Sequence, residues 1–137
     1  MPPTHFLALQ APVVELEGLG TFRDQVLFLG ARKDEGLERV REVAAAARAA
    51  LQDIGLQGGG GGAAFAPHVT IAKLSKVPWR RGQPRLRSIP REAWGPCADV
   101  RGGSVTLSAV QLCRMRGRLA GHYYAVEKSI WLDEPYL

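Results

Sequence analysis

The chain has 137 residues, 46% hydrophobic and 23% charged, a composition that suits one folded domain and excludes a disordered or fibrous chain. It holds no apolar run near the ~18 residues of a transmembrane helix, no basic region ahead of the short apolar start, and only two isolated cysteines, Cys97 and Cys113. A membrane span, a signal peptide, a disulfide framework and a zinc knuckle are therefore not expected, and a reducing compartment, cytoplasmic or nuclear, is the expected location.

Thr4 to Leu9 reads as a short apolar strand. Ala11 to Gly20 suggests a brief strand and a turn, and Phe22 to Leu29 a second strand ended by Gly30. The clearest helix follows. Asp34 can cap it, Leu37, Val40, Ala44, Ala47, Leu51 and Ile54 recur at steps of three and four, and Gly55 stands where a terminating glycine should. Gly58 to Gly62 lacks the Gly-Lys-Ser/Thr and helix of a phosphate-cradling loop, so it reads as a flexible linker.

Ala66-Pro67-His68-Val69-Thr70-Ile71-Ala72-Lys73-Leu74 has the β-branched bias of a strand. Alternation puts His68 and Thr70 on one face, and Val69 and Ile71 on the other, where they can be buried. An imidazole beside a hydroxyl is a proton-transfer group next to a hydrogen-bonding group. Taken alone, His-x-Thr often arises by chance.

Beyond it, residues 77–103 form a loop rich in proline, glycine and arginine, with one or two helical turns possible over Pro90 to Trp94. Lys73, Lys76, Arg80, Arg81, Arg85, Arg87, Arg91 and Arg101 face only Glu92 and Asp99 in sequence, so this segment carries 8 − 2 = +6 against a net charge of +5 for the chain. Such a loop is either solvated surface or an attractor of phosphate. Val105 and Leu107 then alternate out of phase with Val110 and Leu112, which predicts one strand with a bulge near Ser108. Gly117 to Gly121 reads as a hairpin loop, and Tyr123 to Leu132 as the last strand. The fold class is α+β.

Several blocks together are more specific than any one of them. Leu16 to Val26 (with Gly18-Leu19-Gly20-Thr21-Phe22), Phe65 to Trp79 around Pro67-His68-Val69-Thr70 and Lys73-Leu74-Ser75-Lys76, and Tyr123-Tyr124 resemble a 2H phosphoesterase, of the A-kinase anchoring protein type. The resemblance covers Pro3 to Gln10 and then Leu16 to about Leu132. It implies two lobes of antiparallel strands with flanking helices around a cleft, each lobe bearing one His-x-Thr/Ser strand. It implies no metal and no cofactor. One histidine would serve as general base and the other as general acid, with the hydroxyls bonding the phosphate. In-line displacement at phosphorus needs an acid and a base on opposite sides whatever the family.

On this reading His68 and Thr70 are catalytic. His68, Val69, Thr70, Ile71 and Lys73 contact phosphate through side chains and strand backbone, and Phe22 or Tyr124 stacks on a base; ordinary core packing is the other reading of those two aromatics. The implied partner is a nucleotide or an RNA-end phosphate, with RNA contact through Arg80, Arg81, Arg85, Arg87 and Arg91, and no membrane. The sequence departs from the pattern in one respect: His5 precedes Phe6-Leu7 and His122 precedes Tyr123-Tyr124, so no second His-x-Thr/Ser exists in it. The expected architecture over 1–137 is thus a single, incomplete domain with its first lobe truncated. An active phosphodiesterase, a nucleotide-binding module without catalysis, a shortened form of a full domain, and a basic RNA-binding module are the functional alternatives.

Overall fold

The computed structural model describes residues 10–56, 65–116 and 123–133. The expected strand over Thr4 to Leu9, the glycine linker Gly58 to Gly62 and the loop Gly117 to Gly121, together with His5 and His122, lie outside them. The chain divides into two compact units, one of residues 14–37 and 64–105, the other of residues 1–13, 38–63 and 106–137.

The first unit is built on a four-stranded sheet. Strands β1 (Val13–Phe22), β2 (Val26–Ala31), β3 (Val69–Lys73) and β4 (Arg101–Thr106) stand in the order β3-β2-β1-β4. β1 pairs antiparallel with β2, and β2 with β3. Just ahead of β4, Val100 O accepts from Gly18 N–H and Ala98 O from Leu19 N–H, so residues 98–100 run opposite to β1.

Phe22 ends β1 rather than opening β2. The turn that follows, Arg23-Asp24-Gln25, carries no glycine, and Arg23 and Asp24 both adopt positive φ, 52° and 55°. Two successive residues at positive φ are what a tight hairpin needs to match strand twist. Asp24 Oδ1 accepts from Thr21 Oγ1 at 3.0 Å, a local bond that supports the turn. Gly30, expected to stop the second strand, lies inside β2.

The helix obeys its sequence signals. α1 (Glu35–Asp53) begins after Asp34, whose Oδ1 accepts from Leu37 N–H at 3.3 Å. It ends with Gly55 at φ +83°, Gly55 N–H on Gln52 O and Leu56 N–H on Leu51 O. That pair of bonds is the Schellman arrangement. The apolar stripe is buried only at its start: Leu37 and Val40 are buried, whereas Leu51 and Ile54 are exposed.

In the second unit β5 (Ala109–Cys113) and β6 (Val126–Trp131) form an antiparallel pair. Residues 10–12 run alongside: Ala11 N–H donates to Asp133 O and Leu107 N–H to Pro12 O. The expected single strand with a bulge near Ser108 is therefore two strands, β4 and β5, in different sheets. Ser108 lies between them and accepts from Leu132 N–H.

Among the described residues, full burial is confined to Ala11, Pro12, Val14, Leu37, Val40 and Leu132. Val69 and Ile71, expected to be buried, are 47% and 54% exposed. β3 is the edge strand of its sheet, and every residue of it is exposed.

Candidate functional site

The hairpin β1–β2 and the edge strand β3 build one face of the first unit. Directly paired residues of neighbouring strands project to the same side. Gly20 pairs with Phe28, and Phe28 with Thr70, so the sequence of partners across the three strands is Gly20, Phe28, Thr70. Phe22 and Val26, one pleat further along and paired with each other, share that side.

His68 precedes β3 and turns its ring to the same two phenylalanines. Its centroid lies 4.8 Å from that of Phe22 at 80°, and 5.6 Å from that of Phe28 at 60°, while the two phenylalanines stack at 4.4 Å. Edge-to-face contacts of this kind hold a ring in orientation as well as in place. Gly20 makes room for the arrangement, because a Cβ there would stand 2.7 Å from Cζ of Phe28. The Gly18-Leu19-Gly20-Thr21-Phe22 block thus acquires a physical meaning. Gly18, at φ +86°, sits in the irregularity of β1 between Leu16 and Leu19; Gly20 clears the Phe28 ring; Phe22 packs on His68.

His68 Nδ1 lies 2.7 Å from the carbonyl oxygen of Ala66. A carbonyl can only accept, so the proton of that bond is on Nδ1, and the bond leaves Nε2 unused. The ring is exposed to solvent, as is Thr70.

Lys73 reaches this face by a device that alternation hides. Val26 pairs with Lys73 and Leu27 with Ala72, yet Phe28 pairs with Thr70, so Ile71 is an extra residue in β3. The bulge shifts the phase, and the register places Lys73 on the side of Val26, Phe28 and Thr70. Plain alternation would have put it with Val69 and Ile71. Because β3 is an edge strand, its outer backbone groups, those of Val69 and Ile71 included, have no strand partner among the described residues.

The remaining expected residues are elsewhere. Tyr124 belongs to the other unit, where its ring meets that of Tyr123 at 6.1 Å. Arg80 and Arg81 are exposed on the loop after β3; Arg85 lies over the indole of Trp79 at 5.0 Å and Arg91 over that of Trp94 at 5.4 Å. Elsewhere in the sheet Arg32 and Arg101 each approach Glu17 at 3.3 Å, and the Glu17 carboxylate raises the Arg32 pKa above its ordinary value. These are at most partly buried pairs of small energetic weight. Phe28, Gly20 and Trp79 were not singled out as site residues in the sequence; the register of Phe28 opposite Thr70 is the signal that reveals the first two. The described residues contain no cluster of three metal-ligating side chains and no helix long and apolar enough to cross a membrane.

Comparison with known proteins agrees with the blocks that shape this face. The family described as the AKAP7 2′5′ RNA ligase-like domain matches residues 4–132. Human A-kinase anchor protein 7 isoform gamma is 31% identical over 119 residues, which cover 86% of this chain and 34% of that protein. The chain thus spans about a third of the length of the curated relative it matches. It belongs to the AKAP7 2′5′ RNA ligase-like domain family, within the 2H phosphoesterases.

Proposed function

We propose that the His68–Thr70 face binds the phosphate of a nucleotide or RNA end, and that it handles 2′,3′-cyclic or 2′,5′-linked phosphodiesters with one proton-transfer group in place of two. The observation that carries this reading is the anchoring of His68: Nδ1 is engaged by Ala66 O, and Phe22 and Phe28 fix the ring, with Thr70 on the same face. Nε2 is then the nitrogen that takes a proton from, or returns one to, an oxygen on phosphorus. Thr70 Oγ1 donates to a phosphate oxygen, and Lys73 offsets its charge.

One histidine serves one side of an in-line displacement. Water serves the other, and a missing positioned acid or base costs about 10²- to 10⁴-fold in rate. Binding with slow turnover is the expected behaviour of this chain. A binding module without turnover is the second reading, favoured by the single His-x-Thr in the sequence.

Hydrolysis of 2′,3′-cyclic nucleotides and 2′,5′-oligoadenylate, measured beside the AMP-induced thermal shift for wild type and His68→Ala, tests both. Slow turnover and a thermal shift, both lost in His68→Ala, support the first reading. A His68-dependent shift with no turnover selects the second. Neither shift nor turnover in the wild type would sink the proposal.

A further inference from the structure

The loop that leaves β3 is a built structure with its own cleft. Its two ends are pinned to consecutive carbonyls of the β1–β2 turn: Leu74 N–H donates to Gln25 O at 3.0 Å, and Ile89 N–H to Asp24 O at 2.6 Å. Inside, Trp79 Nε1–H donates to Gln83 O at 2.9 Å, Gln83 N–H to Arg80 O and Val77 N–H to Leu74 O, while Gly82 takes φ +91°. Closed ends with internal packing are the marks of an Ω-loop. The cleft it encloses measures about 940 Å³ and is lined by Leu74, Val77, Trp79, Arg85, Leu86 and Arg87 among others. That volume lies within the ordinary range of ligand sites, about 300–1,000 Å³.

Two features of the cleft and its loop point to one ligand chemistry. The first is charge. Arg85 and Arg87 line the cleft, and Lys76, Arg80, Arg81 and Arg91 stand elsewhere on the same stretch, which has no Asp or Glu between residues 73 and 91. None of Arg80, Arg81, Arg85 and Arg87 has a carboxylate partner within 4.0 Å among the described residues, and the nearby Asp24 carboxylate is engaged by Thr21. The second is the indole of Trp79, which is 52% exposed, has its N–H satisfied by Gln83 O, and carries Arg85 over its ring. A ring held by its edge, stacked with guanidinium and open to solvent, offers a planar surface to another planar group. Free arginines beside it offer forks for phosphate.

We infer that this cleft binds single-stranded nucleic acid, with a base stacked at Trp79 and the backbone held by Arg85 and Arg87, at a site separate from His68 and Thr70. None of His68, Thr70, Phe22, Phe28 and Lys73 lines the cleft, and the inference does not depend on turnover at His68.

The test is fluorescence anisotropy of the full chain with a fluorescein-labelled uridine hexamer lacking a terminal phosphate, run beside its deoxyribo counterpart and a glutamate hexapeptide. The wild type is expected to bind the nucleic acid with a steep salt dependence. Trp79→Ala weakens it about 5- to 150-fold, and Trp79→Phe retains most of it. Arg85→Gln with Arg87→Gln flattens the log–log salt slope by about 1.4. His68→Ala leaves the affinity unchanged. Binding of either hexamer supports the site, and the ratio of the two affinities assigns the sugar. Three results would overturn it: no binding by the wild type; loss of binding in His68→Ala but not in the Trp79 or arginine variants; or equal, Trp79-dependent binding of the glutamate peptide. Should Trp79→Ala fail to fold, Trp79→Phe and the arginine pair still decide the question.

Discussion

Phe22 and His68 meet edge to face, their ring centroids 4.8 Å apart and their planes at 80°. Phe22 ends β1, His68 enters β3, and β2 lies between the two strands. Phe28, on the central strand of the three, stacks on Phe22 and touches His68 as well. The bond from Nδ1 to Ala66 O holds one end of the ring, and the two phenylalanines hold its plane. The aromatic pair favours one orientation of the ring, which is what the proposed proton transfer to a bound phosphate requires. Replacing Phe22 by Ala is expected to weaken AMP binding about 2- to 12-fold, the equivalent of one edge-to-face contact. Isothermal calorimetry on the variant and the wild type measures it.

Gly20 has a steric reason to be glycine. Gly20→Ala puts a Cβ 2.7 Å from the Phe28 ring, which must move and carry Phe22 and His68 with it. The expected cost is about 1–3 kcal/mol of stability, the usual range for overpacking. Urea denaturation should show the lower midpoint, and AMP binding should fall in parallel. Unchanged stability and binding would mean that Phe28 is not confined as the face requires.

Lys73 and Lys76 offer an internal comparison. The bulge at Ile71 sets Lys73 beside Thr70, whereas Lys76 ends the short 3-10 turn that follows β3. Lys73→Ala is expected to weaken AMP binding about 2- to 5-fold, the range for an exposed charge pair, with the difference shrinking as salt is added. Lys76→Ala should leave it intact. Calorimetry at two ionic strengths distinguishes the two lysines, and equal effects would contradict the register argument.

The apolar surface carries a prediction about behaviour in solution. Val69, Ile71, Leu112 and Trp131 are all more than 45% exposed, while few side chains among the described residues are fully buried. Exposed apolar strands favour association. The 137-residue chain should bind the dye ANS near neutral pH and show concentration-dependent sedimentation. A non-binding, concentration-independent monomer would show that these surfaces are covered in solution.

Much of the helix and the shared side of His68 and Thr70 were legible in the sequence. The caps of α1 could be read because Asp34 and Gly55 are residues whose chemistry names their position, and both act as read. His68 and Thr70 were legible because a strand's period alone puts them on one side. The first hairpin was misplaced because Arg23-Asp24-Gln25 has no glycine to mark a turn at positive φ. The face of Lys73 was hidden by a bulge, which depends on pairing with β2 and not on the local sequence of β3. The exposure of Val69 and Ile71 was hidden too, since a β-branched residue reads the same on a covered sheet as on an open edge. Phe28 escaped notice for a related reason: its partner Thr70 is remote in sequence and is brought opposite only by the register.

The most direct measurement is the AMP affinity of the wild type against His68→Ala, by isothermal titration calorimetry on protein shown to melt cooperatively. The account predicts that the wild type binds AMP, and that His68→Ala, with its fold intact, loses about 10-fold or more, as for a charge-assisted hydrogen bond to phosphate. Equal affinities in the two proteins, or no binding by the wild type, would contradict it.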